Sequence, residues 1–124
     1  MNNPEVTMHD IGISSRFEVQ EKAIEAASIA IALAMSVPVP LRSIADQIVR
    51  SASSVPANLA EGNGRSGRDR LHHFRIALAS AREVDTHLRL LVGAGAINQP
   101  RATAALCLFD DVRAMTWRLL HPKP

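Results

Sequence analysis

At 124 residues and 13.4 kDa the chain has the length of one domain built around one core. Three Phe, one Trp and no Tyr in a chain that is 47% hydrophobic argue against a β-sandwich and for helices packed through Ala, Leu, Ile and Val. Fourteen basic against twelve acidic residues leave a net charge of +2, too small to identify a nucleic-acid binder by itself, although all but Lys22 and Lys123 of the basic residues are arginine.

Residues 1–14 carry no apolar periodicity and are expected to form a flexible N-terminal tail ahead of a helical domain over residues 15–121. The first helix is predicted from about Arg16 to Met35, with Phe17, Ile24, Ala27, Ile31 and Ala34 at three-or-four spacing. It ends at Val37-Pro38-Val39-Pro40, because the residue before a proline is pushed out of the α region. The second helix starts at or near Pro40. Its stripe of Leu41, Ile44, Ala45, Ile48, Ala52, Val55 and Leu59 runs in phase across Pro56, which reads as one helix kinked at Pro56 rather than two helices. The third helix opens at Ser66, with Asp69 completing a capping-box-like pair, carries Leu71, Phe74, Leu78, Ala81, Leu88 and Leu91 on one side, and stops at Gly93-Ala94-Gly95. The fourth opens at Asn98-Gln99-Pro100 and carries Ala105, Leu108, Phe109, Val112, Met115 and Leu119 up to His121-Pro122. Short connections between long helices predict an all-α, antiparallel, up-down-up-down four-helix bundle. The first helix is apolar nearly all round (Ala23, Ala26, Ala27, Ile29 to Ala34), more than one bundle core needs, which predicts self-association.

The segment Ile48-Val49-Arg50-Ser51-Ala52-Ser53-Ser54-Val55-Pro56-Ala57-Asn58-Leu59-Ala60-Glu61-Gly62 resembles the signature Arg-Arg-Ala-x-Ser-x-Pro-x-Asn-Ile-Ala-Glu-Gly. That signature belongs to the four helix bundle protein family, which includes proteins encoded by intervening sequences inside bacterial 23S ribosomal RNA genes. The chain is also similar to the accessory variability determinant of diversity-generating retroelements. A second block, Phe74 to Thr86, resembles the family's Ile-Ala-Arg-Gly-Ser-x-x-Glu-x-x-Thr helix, with Leu78-Ala79 in place of the Arg-Gly pair and His73 at a position where an aromatic is common. In the first helix Gln20 stands where Trp is common, while Lys22 and Ala23 match. The resemblance spans roughly residues 16 to 120. It implies a cytoplasmic, non-enzymatic homopentamer without cofactor, and in the retroelement branch one that binds a reverse transcriptase and nucleic acid through basic surfaces.

Within the signature, Ser54, Asn58 and Glu61 share one helix face. Pro56 cannot donate to the Ala52 carbonyl, so Asn58 or a neighbouring arginine is expected to satisfy that acceptor, giving Arg50, Ser54, Pro56, Asn58, Glu61 and Gly62 a structural role. Arg50 and Arg82 are candidates to pair with Glu61 and Glu83 between helices or subunits. Arg65, Arg68, Arg70 and Arg75 against Asp69 form the candidate nucleic-acid surface. The Gly62-Asn63-Gly64 amides and the third helix's N-terminus point the same way. Phe74, the one Phe, Trp or Tyr between these arginines, is counted on the apolar stripe of the third helix, which leaves no exposed aromatic among them to stack a base.

The competing reading is an enzyme. Arg82 to His87, and equally Arg68 to His73, read Arg-x4-His, which resembles the motif of metal-independent RNA-cleaving HEPN domains. Residues five apart lie about 140° apart on a helix, which places them poorly for one phosphate. For a metal, Asp69 with His72, Glu83 with His87, and Asp110-Asp111 fall short of a bundle di-metal pattern. The single cysteine, Cys107, excludes an internal disulfide and fits a reducing compartment; its neighbours Ala104, Ala105, Leu106, Leu108 and Phe109 predict a buried, inert thiol. The first residues show no basic region followed by an apolar run, so no secretory signal is read. The longest charge-free apolar stretch, Ala26 to Leu41, is broken by Pro38 and Pro40 and falls short of the about 20 residues a membrane span needs.

Overall fold

The computed structural model describes residues 8–124, with side chains described from Ser15 onward. Four helices make up the bundle: α1 (Met8–Ala34), α2 (Arg42–Asn63), α3 (Gly67–Gly93) and α4 (Gln99–Leu120). Of the segment expected to be a flexible tail, residues 1–7 lie outside the described residues. Residues 8–14 belong to α1, so the helix starts eight residues before Arg16, where no apolar stripe marks it. Pro40 falls in a short 3₁₀ turn at Val39–Leu41, closed by the Leu41 N–H donating to the Pro38 carbonyl (2.9 Å), and α2 follows from Arg42. It continues unbroken through Pro56.

Each helix packs on its sequence neighbours, and α1 against α4 closes the ring. The cross-links show the sense of packing. Gln20 meets Asn63 at one end of the α1–α2 pair, while Ala34 and Met35 share a recess with Arg42 and Ala45 at the other. Ser54 meets Ser80 and Asn58 meets His73 between α2 and α3. Asp85 pairs with Arg113, and Leu78 shares a groove with Trp117, between α3 and α4. Lys22 pairs with Asp111 between α4 and α1, and Ser15 lies in the same recess as Leu119. In every pair the residue numbers run in opposite senses along the two helices.

Val19, Ala23, Ala26, Ala30 and Leu33 of α1 meet Ile48, Ala52, Val55 and Leu59 of α2, Phe74, Ala81, Val84, Leu88 and Leu91 of α3, and Ala102, Ala105, Phe109 and Val112 of α4 in one core. Phe74 and Phe109 are its largest fully buried side chains, and alanines let the helices approach around them. Two buried hydroxyls are satisfied within their own helices. Ser51 donates to the Gln47 carbonyl (2.8 Å) and Thr116 to that of Val112 (2.6 Å).

The stripe read on α1 is corrected. Phe17 (61% exposed) and Ile24 (43%) face outward, and the inward stripe is Val19, Ala23, Ala26, Ala27, Ala30, Leu33 and Ala34. Ala27 and Ala34 of the stripe as read do face inward, while the larger Phe17 and Ile24 drew its first half to the outer side.

The helix ends follow local chemistry. Asn98 caps α4, its Oδ1 accepting from the Arg101 N–H at 3.0 Å. Gly95, at φ +68°, closes α3 with the Ala96 N–H on the Leu91 carbonyl (2.9 Å) and its own N–H on that of Val92 (3.0 Å). Ser66 occupies the cap position of α3 in extended backbone, yet its hydroxyl makes no capping bond. Among the described residues no helix is long and apolar enough to cross a membrane.

Candidate functional site

The signature residues build a seam between α2 and α3. The Asn58 amide nitrogen donates to the Ser54 carbonyl (2.9 Å) and the Ser54 hydroxyl oxygen (3.0 Å). This leaves Asn58 Oδ1 as an acceptor facing His73 Nδ1 at 3.0 Å, so the proton of that bond sits on His73 Nδ1. The Ser80 hydroxyl donates to Ser54 Oγ at 2.9 Å and completes a chain of four side chains across the two helices. Asn58 thus serves the carbonyl of Ser54 and not that of Ala52, which the loss of the Pro56 N–H had suggested.

Gly62 lies within the last turn of α2. It is buried, and a Cβ there would lie 2.5 Å from Phe74 Cε1 and 3.2 Å from the Arg70 carbonyl oxygen, so α2 and α3 close on each other only because position 62 has no side chain. The left-handed backbone near this corner is at Gly67, φ +59°.

Glu61 stands apart from the seam. It is exposed and pairs with Arg65 one turn on, at 3.4 Å. Arg50 and Arg82 are exposed and make no ion pair among the described residues, which corrects their expected partnership with Glu61 and Glu83 within the chain.

The four arginines expected to form one basic surface divide. Arg65 sits between Glu61 (3.4 Å) and Asp69 (4.0 Å), its charge largely answered. Arg70 is half-buried, and its Nε donates to the Gly62 carbonyl at 3.0 Å, serving an acceptor in the last turn of α2. Beside it lies Arg16 of α1, whose guanidinium is held below the ordinary arginine value by burial and then by the neighbouring Arg70 charge. Of the amides expected to receive phosphate, the Gly64 N–H is already occupied, bonding the Ala60 and Glu61 carbonyls at 3.2 Å, and the neighbouring Arg65 N–H bonds that of Gly62 at 3.2 Å.

Arg68 and Arg75 remain. Both are exposed, and with His72 and Arg82 they stand at offsets of zero, four, seven and fourteen residues, which puts them on one face of α3. Ala79 and Thr86 complete that face, and exposed Glu83 lies at its edge. None of Arg68, Arg75 and Arg82 makes an ion pair among the described residues. Arg82 belongs to this row, whereas its proposed catalytic partner His87 is half-buried with Nδ1 enclosed and unbonded among the described residues. The helix directs the two side chains about 140° apart.

Three features escaped the sequence reading. Buried Asp85 is gripped by Arg89 (2.8 Å) and lies 3.5 Å from Arg113, which also holds Asp110 and so ties α4 to α3. The signal was present as an Asp-x3-Arg pair, but burial picks it out among the other charges. Trp117 is 49% exposed and stacks on His121, with ring centroids 4.1 Å apart and planes 21° apart. Finally, Cys107 is exposed, contrary to expectation, because its position on α4 lies between the two inward residues Ala105 and Phe109. Among the described residues no three His, Cys, Asp or Glu side chains gather to hold a metal ion.

A family model described as 23S rRNA-intervening sequence protein matches residues 15–118. Among solved structures, a protein of unknown function from the S23 ribosomal protein family of Bacteroides thetaiotaomicron superposes with a TM-score of 0.77. The alignment covers 86% of this chain and 98% of that one at 22% identity, a likeness of fold alone. No curated protein sequence matches the chain.

Proposed function

The chain belongs to the 23S rRNA-intervening sequence protein family, and on that premise we propose that it is a non-enzymatic, self-associating helical scaffold. It holds nucleic acid on the outer face of α3 and works in the cytoplasm, where an exposed lone thiol such as Cys107 stays reduced. The observation that carries this is the row of Arg68, His72, Arg75 and Arg82, whose three arginines have no carboxylate to answer them among the described residues. A folded protein gains little from unpaired like charges along one helix face; a polyanion gains from releasing its counterions to them. Self-association is supported by Phe17 and Ile24, which lie exposed seven residues apart on α1, with Met35 (82% exposed) eleven further on. The resemblance gives five as the number of subunits.

The test is a titration of labelled RNA and DNA against salt. Binding is expected to weaken linearly in log–log form, and Arg68→Gln or Arg75→Gln each to flatten the slope by about 0.7–0.9. Arg65→Gln, whose charge is answered inside the chain, changes the slope less. Absence of binding at about 50 mM salt would remove the nucleic-acid role. Cleavage of the RNA that disappears in His87→Ala would replace the scaffold by an enzyme.

A further inference from the structure

The groove between α3 and α4 adds an aromatic to the arginine row. About 360 Å³ in volume, it is lined by Leu78, Arg82, Asp110, Arg113, Ala114 and Trp117. Two of its cations differ in availability. Arg113 is committed to Asp85 and Asp110, so its charge and that of Asp110 are satisfied in place. Arg82 is exposed, makes no ion pair among the described residues, and ends the row that begins at Arg68.

Across from Arg82 stands Trp117, itself half exposed. Its indole is held by the stack on His121, whose Nδ1 bonds the Trp117 carbonyl at 2.9 Å. Beyond it, Arg118 and Lys123 line a second recess with Trp117 and His121. A large, fixed aromatic surface with free cations on both sides is costly to leave in water and has the form of a base-stacking platform beside a phosphate track.

We propose that this groove is a single-strand subsite, in which Trp117 stacks an unpaired base while Arg82 and Arg75 follow the backbone. It rests on the nucleic-acid role proposed above and narrows it to the class of strand. A base within a duplex is already stacked and paired, so it can meet the indole only after being pulled out at a cost of a few kcal/mol; a single strand offers its bases freely. Seven-residue spacing sets Arg68, Arg75 and Arg82 about 10.5 Å apart along the helix, a track leading to the groove.

Trp117 is the only tryptophan and the chain has no tyrosine, so indole emission reports this position alone. Unlabelled oligouridylate of twelve nucleotides and a blunt RNA duplex of equal length are titrated into the intact protein, following Trp117 emission. Parallel anisotropy uses labelled strands. Oligouridylate is expected to quench the emission saturably. Trp117→Leu is expected to weaken oligouridylate binding about 5- to 150-fold, with Trp117→Phe retaining most of it and duplex affinity unchanged by either. A melting curve for Trp117→Leu like that of the parent keeps the loss specific to binding.

Oligouridylate bound without quenching and indifferent to Trp117→Leu would overturn the subsite and leave the scaffold role standing. Quenching and sensitivity to Trp117→Leu that are equal for the duplex would overturn the preference for single strands. If neither strand binds, the nucleic-acid role falls, and the subsite with it.

Discussion

Gly62 shows how one missing side chain sets a helix–helix distance. Any Cβ at position 62 would press into the ring of Phe74, which is buried against the core and has no flexible end to move aside. Gly62→Ala is therefore expected to destabilise the fold by about 1–3 kcal/mol, as overpacked cores do. A thermal melt would register this as a fall of roughly 4–8 °C per kcal/mol; an unchanged midpoint would mean that α2 and α3 separate freely. Of Ser54, Asn58 and Glu61, read from the signature as one structural face, Ser54 and Asn58 do hold the seam because the helix fixes their spacing, while Glu61 stands outside it and pairs with Arg65. The partners across the seam were not legible, since His73, Ser80 and Phe74 are picked out only by how α3 slides against α2. For the same reason Arg70 read as a ligand-facing charge when it serves the Gly62 carbonyl.

At the scale of the element, α1 and α3 each hold a face that the bundle does not use. On α3 it is cationic; on α1 it carries Phe17 and Ile24 among Glu21 and Ser28. The four helices and their approximate limits, apart from the start of α1, could be read from proline, glycine and Asn98, because those residues act on the backbone where they stand. The facing of α1 could not, because alanine is at home on either side of a helix. Phe17 and Ile24 then become test positions for assembly. Phe17→Glu with Ile24→Glu removes apolar surface that the core does not contain, so each chain is expected to stay helical by circular dichroism. Light scattering should show the parent as a pentamer and the double variant as smaller species. A parent that is monomeric at micromolar concentration would end the assembly proposal.

For the whole molecule, the order of helices around the ring matters as much as their number. Three of the four helix pairs join neighbours in sequence across short connections. The fourth, α1 against α4, brings together Lys22 and Asp111, which are 89 residues apart. Contacts between near neighbours close small loops and form early, while this last seam must wait for nearly the whole chain. Phe74→Leu, at the α2–α3 seam, is expected to slow refolding. Met115→Ala, at the recess shared by α4 and α1, should leave refolding nearly unchanged and hasten unfolding. Stopped-flow refolding and unfolding rates separate the two; equal effects on the folding limb would show that the ring closes in one step. This order predicts that the α1–α4 seam is the clasp of the bundle, the last contact made and the first to open, and so the contact that sets how long the folded chain survives once formed.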